Sequence, residues 1–369
     1  MKVGVLTSSR ADYGIYVPLL NQLKTDDYFQ IEIIAFGTHL SENHGHTIKH
    51  IEADGFKTIH KIDSLEVDDS PHGISMSYGK TVIHFADFWK NNRYDIVFCL
   101  GDRFEMSAAV QASIPFGVPL AHIHGGETTL GAIDNVYRHQ ITLASVLHFV
   151  STQGYKHKVE QLTGHSTHSY DVGALSLDGI KAFVPIDKSE LLQAFHIQDK
   201  DFALVTFHPE TVDVESNAAY AMEMYKALAE LANHIQIVIT MPNADTLGSV
   251  FREQIHKLKA ERAAEIVLVE NFGKTNYFSA MQYSKLLIGN TSSGIIEAAS
   301  FKKYVVNVGS RQKGRTTSDN VFDVQFDANA IVKKTKAILE MPEYVGENVY
   351  YKAGTAQQII KIIKQYGSL

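Results

Sequence analysis

Between positions 122 and 139 the chain carries His122-Ile-His-Gly-Gly-Glu, then Gly131, Asp134, Arg138 and His139. Two carboxyl groups, a guanidinium and several imidazoles inside one turn and one helix start are the parts of acid/base chemistry. They are costly to bury without a purpose. A second set, Leu100-Gly-Asp-Arg-Phe-Glu105, places Asp102 and Arg103 directly after a strongly apolar run. The plainer reading makes His122 a core histidine, Asp134 an N-cap and Arg138 its partner one helical turn on. That reading serves for any one of these residues, but not for the whole set.

The elements that must position these groups are legible from periodicity. Val118–Ala121 is apolar, and Val136, Tyr137, Ile141, Ala144 and Leu147 recur at helical spacing, so the 122–139 stretch reads as strand, glycine turn, helix. Short β-branched runs at 3–7, 31–36, 58–62, 96–100, 120–123, 147–150 and 170–172 alternate with longer amphipathic segments. This is the pattern of a parallel sheet covered on both faces. The rhythm changes to a Gly- and Pro-containing passage around 174–188. It then restarts with runs at 202–207, 235–240, 266–269, 286–288 and 305–308. Two α/β domains in tandem are expected, 1–175 and 176–353, followed by a helix within 354–369. The apolar positions of that helix, Ile359, Ile360, Ile362 and Ile363, lie on more than one side and call for docking. In such sheets ligands bind outside the carboxyl ends of the strands, where His122, His124, Glu127, Asp102 and Arg103 would all sit.

The remaining strand ends are polar as well. The first turn, Thr7-Ser-Ser-Arg-Ala-Asp-Tyr-Gly14, lacks the Gly-x-Gly-x-x-Gly of dinucleotide sites and offers hydroxyls and Arg10 instead. Ser8, Ser9 and Asp12 serve equally as helix caps. The next strand ends at Gly37-Thr-His-Leu40, which presents His39. In the second half Phe207-His-Pro-Glu210, Met241-Pro-Asn-Ala-Asp245 and Gly289-Asn-Thr-Ser-Ser-Gly294 each follow a strand. The glycines, hydroxyls and amides of the last form an anion cradle, and Glu297 is placed to accept from a ribose diol. Arg311 and Arg315 bring cations to the next strand end.

Composition excludes several classes. A length of 369 residues suggests two domains at roughly 150 residues each. No apolar run approaches the roughly 20 residues of a membrane span, and the opening strand leaves no room for a signal peptide, so a cytoplasmic protein is expected. The net charge of −7 argues against a nucleic-acid partner. The lone Cys99 excludes an intrachain disulfide framework and reads as a buried structural thiol. No metal-ligand spacing appears, and neither metal nor cofactor is expected.

Taken in order, Ser9-Arg-Ala-Asp-Tyr, Gly37-Thr-His-Leu, Gly101-Asp-Arg-Phe, His122-Ile-His-Gly-Gly-Glu, Ile133-Asp, Arg138-His-Gln-Ile-Thr, His208-Pro, Pro242-Asn-Ala-Asp, Ile288-Gly-Asn-Thr-Ser-Ser-Gly and Arg311-Gln-Lys-Gly-Arg resemble the hydrolysing UDP-N-acetylglucosamine 2-epimerases of sialic acid biosynthesis. The likeness spans nearly the whole chain. It implies a GT-B-like fold of two Rossmann-like domains facing a cleft, with the C-terminal helix returning to the first domain. It further implies a UDP-sugar substrate, UDP as product and a homodimer or homotetramer. Where the family shows Asp or Glu after Ile-Asp, this chain has Asn135, so only Asp134 is carried over.

The implied reaction converts UDP-N-acetylglucosamine and water to N-acetylmannosamine and UDP, through a 2-acetamidoglucal. No carbonyl acidifies the C2 hydrogen, so C1–O cleavage must build positive charge in the ring, which nearby carboxylates stabilise. Asp102, Glu127, Asp134 and His208 are the expected catalytic residues, His208 on the leaving diphosphate. Arg10, His39, Arg103, His122, Arg138, Asn243, Ser292, Ser293, Gly294, Glu297, Arg311 and Arg315 are the expected substrate contacts. A non-hydrolysing epimerase would read Glu-Ala-Gly-Leu-Arg in place of 122–127. A glycosyltransferase would need an acceptor site, and a non-catalytic sugar-nucleotide sensor would have lost the acids. Relatives acting on 2,4-diacetamido-trideoxy sugars or on GDP-linked N-acetylglucosamine share these motifs, so the sugar and the nucleotide stay open.

Overall fold

The computed structural model describes residues 1–42, 45–66, 68, 70–242 and 248–367. The chain divides into two compact units. One comprises Met1–Glu127, Asp134–Gly179 and Tyr350–Leu369, the other Thr128–Ile133 and Ile180–Val349. The first holds β1 (Lys2–Thr7), β2 (Gln30–Phe36), β3 (Ile59–Ile62), β4 (Ile96–Leu100), β5 (Leu120–Ile123), β6 (Leu147–Val150) and β7 (Ser169–Asp171). They pair in parallel in the order β3-β2-β1-β4-β5-β6-β7. The second holds β8 (Phe202–Thr206), β9 (Gln236–Thr240), β10 (Ile266–Val269), β11 (Leu286–Gly289), β12 (Tyr304–Val308) and β13 (Val321–Val324), parallel in the order β10-β9-β8-β11-β12-β13. Both are Rossmann-like sheets whose strand order reverses beside the first strand, at β1/β4 and at β8/β11.

Continuous apolar strands result because both faces of each sheet are covered. Successive side chains alternate between two cores. Val5, Ile33, Ala35, Ile96 and Phe98 face one, while Leu6, Ile34, Phe36, Val97 and Cys99 face the other. In the second unit Ala203, Val205, Ile237 and Ile239 lie on one side and Phe202, Leu204 and Val238 on the other. The short β13, Val-Phe-Asp-Val, escaped the sequence reading: it is a half-exposed edge strand with no apolar alternation to mark it. Cys99 is fully buried, and burial pushes its thiol up to about 12, so it is a packing residue.

Two chain segments cross between units. Thr128–Ile133, counted above with the N-terminal domain, folds with the second: Leu130 N–H donates to the Lys313 carbonyl at 2.9 Å and Ile133 N–H to Thr211 Oγ1 at 2.9 Å. The Thr355–Tyr366 helix belongs to the first, where Ile359 and Ile363 are buried among Leu19, Leu20 and Leu23. It is tied down by Thr355 Oγ1 donating to the Val172 carbonyl at 2.7 Å and by a 2.7 Å ion pair between Lys352 and Asp171. No helix among the described residues is long and apolar enough to cross a membrane. Ile363→Ala is expected to cost about 2–5 kcal/mol of the first unit's stability. Urea unfolding checks this, and a loss below about 0.5 kcal/mol would show that the helix does not complete that core.

Candidate active site

The strand ends of the first unit converge on one guanidinium. Arg138, in the second turn of the Asp134–Ala144 helix, is 2% exposed. It donates to the His124 carbonyl at 2.7 Å and to the Asp102 carboxylate, and lies 3.8 Å from Glu127 Oε2. Its partner is therefore not Asp134 one turn back. Asp102 stands after β4 and Glu127 after β5, so the strand order β4-β5 makes them neighbours of the same cation.

The loop after β5 turns back on itself. His124 adopts the left-handed region with φ +66°, as does Gly126 with φ +77°, where a Cβ would meet the Tyr155 carbonyl oxygen at 2.6 Å. This tight turn brings His124 Nδ1 to 2.7 Å from Glu127 Oε1, which also accepts from Ser151 Oγ at 2.8 Å. The side chain of Glu127 is 1% exposed and that of Asp102 24%, so of the two acids Asp102 is the one that solvent reaches. His124 Nε2 is buried and makes no hydrogen bond among the described residues. The pair can hand a proton along the Glu127–His124 axis, with Nε2 as its open end.

Other residues expected to touch substrate have partners within the unit. His122 is fully buried, Nε2 at 2.9 Å from the Gly101 carbonyl and Nδ1 at 3.1 Å from Thr142 Oγ1, so it anchors the turn that carries Asp102. His39 is held between Thr7 Oγ1 at 2.9 Å and Thr47 Oγ1 at 2.8 Å. Arg103 is a bidentate partner of buried Glu105, at 2.8 and 3.2 Å. Ser8, Ser9 and Asp12 bond one another as a cap on the Arg10–Lys24 helix. Arg10 makes no hydrogen bond or ion pair among the described residues and is open to an anion. Asp134 is half-buried at the start of its helix.

In the second unit the loops at the β8/β11 switch are locked by one amide. Asn290 Oδ1 accepts from His208 N–H at 2.7 Å, and its Nδ2 donates to the His208 carbonyl at 2.8 Å. Gln312 Nε2 donates to the Asn290 carbonyl at 2.7 Å, and Arg311 to that of Pro209 at 2.9 Å. Gly289 has φ +137°, and a Cβ there would lie 1.8 Å from the Thr206 carbonyl oxygen. Only glycine lets β11 leave the sheet this way. Ser293 Oγ lies 2.8 Å from the Tyr277 hydroxyl, whose proton burial holds up to about 12. Ser292 is exposed beside it, Gly294 is buried, Glu297 is 7% exposed, and Arg315 is half-buried. Buried Glu210 accepts from the Ser310 amide and hydroxyl. Asn243 lies outside the described residues.

Ser151, Tyr277, Asn290 and Gln312 are not singled out as site residues by the sequence, whereas His124 is placed at the ligand edge by it. Ser151 and Asn290 directly follow β6 and β11, so the carboxyl-end rule applied to every strand finds them; Tyr277, inside a helix, gives no such signal.

Two Rossmann-like units of parallel sheet, with acids gathered on a buried arginine in one and Gly/Ser loops at the switch point of the other, form a GT-B-like α/β protein. The chain belongs to the UDP-N-acetylglucosamine 2-epimerase family, whose model matches residues 21–364. It is 33% identical over 371 residues to the polysialic acid biosynthesis protein P7 of Escherichia coli, covering 99% of this chain and 94% of that one. It is 34% identical over 327 residues to a GDP/UDP-N,N'-diacetylbacillosamine 2-epimerase (hydrolyzing) of Campylobacter jejuni, covering 88% and 85%. The fold is that of the Neisseria meningitidis UDP-GlcNAc 2-epimerase solved with UDP-GlcNAc, at a TM-score of 0.82, 18% identity, and 99% and 100% coverage.

Burial also makes this unit sensitive to acid. Desolvation lowers His122 to about 3 and His39 and His148 to about 4, and among the described residues neither ring nitrogen of His148 has a hydrogen-bond partner. An unfolded chain protonates these rings near pH 6.5 while the folded one keeps them neutral. The unfolded state therefore binds more protons below that pH, and stability falls on acidification from about 6.5 toward 4, by up to about 1.4 kcal/mol per pH unit per histidine. Urea midpoints measured from pH 7.5 to 4.5 should show that slope, reduced in His148→Met. An unchanged slope in the variant would mean that His148 is already charged in the fold.

Proposed function

We propose that the protein is a hydrolysing 2-epimerase that turns UDP-N-acetylglucosamine and water into N-acetylmannosamine and UDP. The observation that carries this reading is the pairing of Asp102 and Glu127 with one buried Arg138, and of Glu127 with His124. In the first step the C1–O bond to UDP breaks, its electrons leave with the diphosphate, and the C2 proton passes to a protein base. In the second, water supplies the hydroxyl at C1 and a proton returns to C2 from the other face. Asp102, the reachable acid, stabilises the ring cation and takes the C2 proton. Glu127 and His124 handle the water proton, and Asp134 adds negative charge near the ring. Arg138 orients both acids from behind, and His122 and His39 fix the turns on either side of the site.

UDP is assigned to the second unit. His208, Ser292, Ser293, Gly294, Arg311 and Arg315 would hold the diphosphate, Glu297 the ribose and Asn243 the base; in the first unit Arg10 and Arg103 are proposed as further substrate contacts. Diphosphate binding by backbone amides and guanidinium groups needs no metal. The Neisseria protein solved with UDP-GlcNAc supports UDP as the nucleotide. The Campylobacter relative favours a second reading, the same chemistry on a UDP- or GDP-linked 2,4-diacetamido sugar.

Incubation with each nucleotide sugar in deuterium oxide, followed by NMR, separates these readings. Elimination and hydration require free sugar with deuterium at C2. Free N-acetylmannosamine carrying ordinary hydrogen at C2 would sink the mechanism, and a product still bearing UDP would mean a non-hydrolysing enzyme.

Asp102→Asn and Glu127→Gln are each expected to lower kcat by about a hundredfold or more. UDP affinity, measured by calorimetry, should stay within about threefold, because the nucleotide is held elsewhere. A fall in UDP affinity matching the lost rate would assign these acids to nucleotide binding instead.

A further inference from the structure

Two groups of the first unit compete for Glu127. Its Oε1 lies 2.7 Å from His124 Nδ1, whereas its Oε2 is 3.8 Å from Arg138 Nη1, beyond hydrogen-bond distance. The guanidinium has donor capacity to spare: Arg138 Nε is buried and makes no hydrogen bond among the described residues, and Nη1 serves the His124 carbonyl. Opposite charges this close in a buried site attract strongly. A carboxylate governed by charge alone would swing onto Arg138 and leave the imidazole, so a further contact must hold it on the histidine.

Ser151 supplies that contact. The residue is 1% exposed, and its hydroxyl donates to the same Oε1 at 2.8 Å. It is the first residue after β6, and its neighbour Thr152 caps the Gln153–Thr163 helix by accepting from the Tyr155 N–H at 3.3 Å. The loop after β5 is registered on this junction: His124 N–H donates to the Phe149 carbonyl at 2.9 Å, and Gly126 sits against the Tyr155 carbonyl. A strand end and a capped helix start thus fix the hydroxyl where Oε1 must come.

We propose that Ser151 is a positioning residue: its hydroxyl holds the Glu127 carboxylate on His124 Nδ1 against the pull of Arg138, and thereby decides which ring nitrogen carries the proton. A carboxylate oxygen only accepts, so with Oε1 held at 2.7 Å the proton sits on Nδ1 and Nε2 presents a lone pair. Without the hydroxyl Glu127 turns toward Arg138, the imidazole loses its acceptor, and both tautomers are populated. The catalytic consequence rests on the reading above, in which Glu127 and His124 handle the water proton; a ring in the wrong tautomer cannot take it.

Nitrogen-15 NMR of the histidine rings, with His124 assigned by its loss in His124→Gln, tests the contact without substrate. Wild type should show the proton on Nδ1, and Ser151→Ala a mixture of tautomers with unchanged circular dichroism. In steady-state assays Ser151→Ala should lower kcat about tenfold or more while KM stays within about threefold, the split expected of a residue that acts on the chemical step. Added to Glu127→Gln, the same change should cost less than about twofold, because both act through one side chain. A proton on Nε2 in wild type, a proton that stays on Nδ1 in Ser151→Ala, a kcat within about twofold of wild type, or losses that multiply in the double variant each overturn the proposal. If wild type releases no free sugar from any nucleotide sugar, the proposed reaction fails, and the nitrogen spectra alone decide whether Ser151 holds the pair.

Discussion

The first unit depends on the burial of one guanidinium. Taking a cation out of water costs several kcal/mol, and only partners of opposite charge with good geometry recover it. Arg138 has such partners in Asp102, Glu127 and the His124 carbonyl, which come from the ends of two neighbouring strands. The cation therefore dictates where both loops must stop. It also stands beside two carboxyl groups whose mutual repulsion would otherwise oppose their close approach. Lysine would not replace it, since its single nitrogen lacks the planar fork by which Arg138 meets the His124 carbonyl with one nitrogen and the Asp102 carboxylate with another.

In the second unit a neutral amide joins the loops at the switch point. The carboxamide of Asn290 bonds both the N–H and the C=O of His208, standing in for a backbone strand where the sheet has ended. Two loops at the switch point are thereby clamped. A carboxylate in that position would accept but not donate, and would repel a diphosphate.

Most of the architecture was legible because strands buried on both faces are continuous apolar runs, and β4, with every residue buried, is the plainest case. The edge strand β13 was not, since half-exposed residues carry no such signature. Carboxyl-end loops were found by the same logic, but not the direction in which their side chains point. His122, His39 and Arg103 are the kinds of residue that bind substrates, yet each is engaged by a neighbour that lies far off in sequence or is itself buried. Arg138 and Asp102 are 36 positions apart, and only the adjacency of β4 and β5 joins them. Helical spacing pointed to Asp134 as the partner because it describes one helix, whereas the pairing is made across the sheet.

The Thr355–Tyr366 helix fills a gap in a core whose other members begin at Val3. During synthesis that core stays open until the Thr355–Tyr366 segment has left the ribosome, while the second unit, whose segments run from Thr128 to Val349, is already available. The order of completion is thus the reverse of the order of translation: the later unit can close first, and the earlier one waits with apolar surface uncovered. A premature stop after Val349 would leave the second unit whole and deprive the first, with its acids, of the helix that seals it.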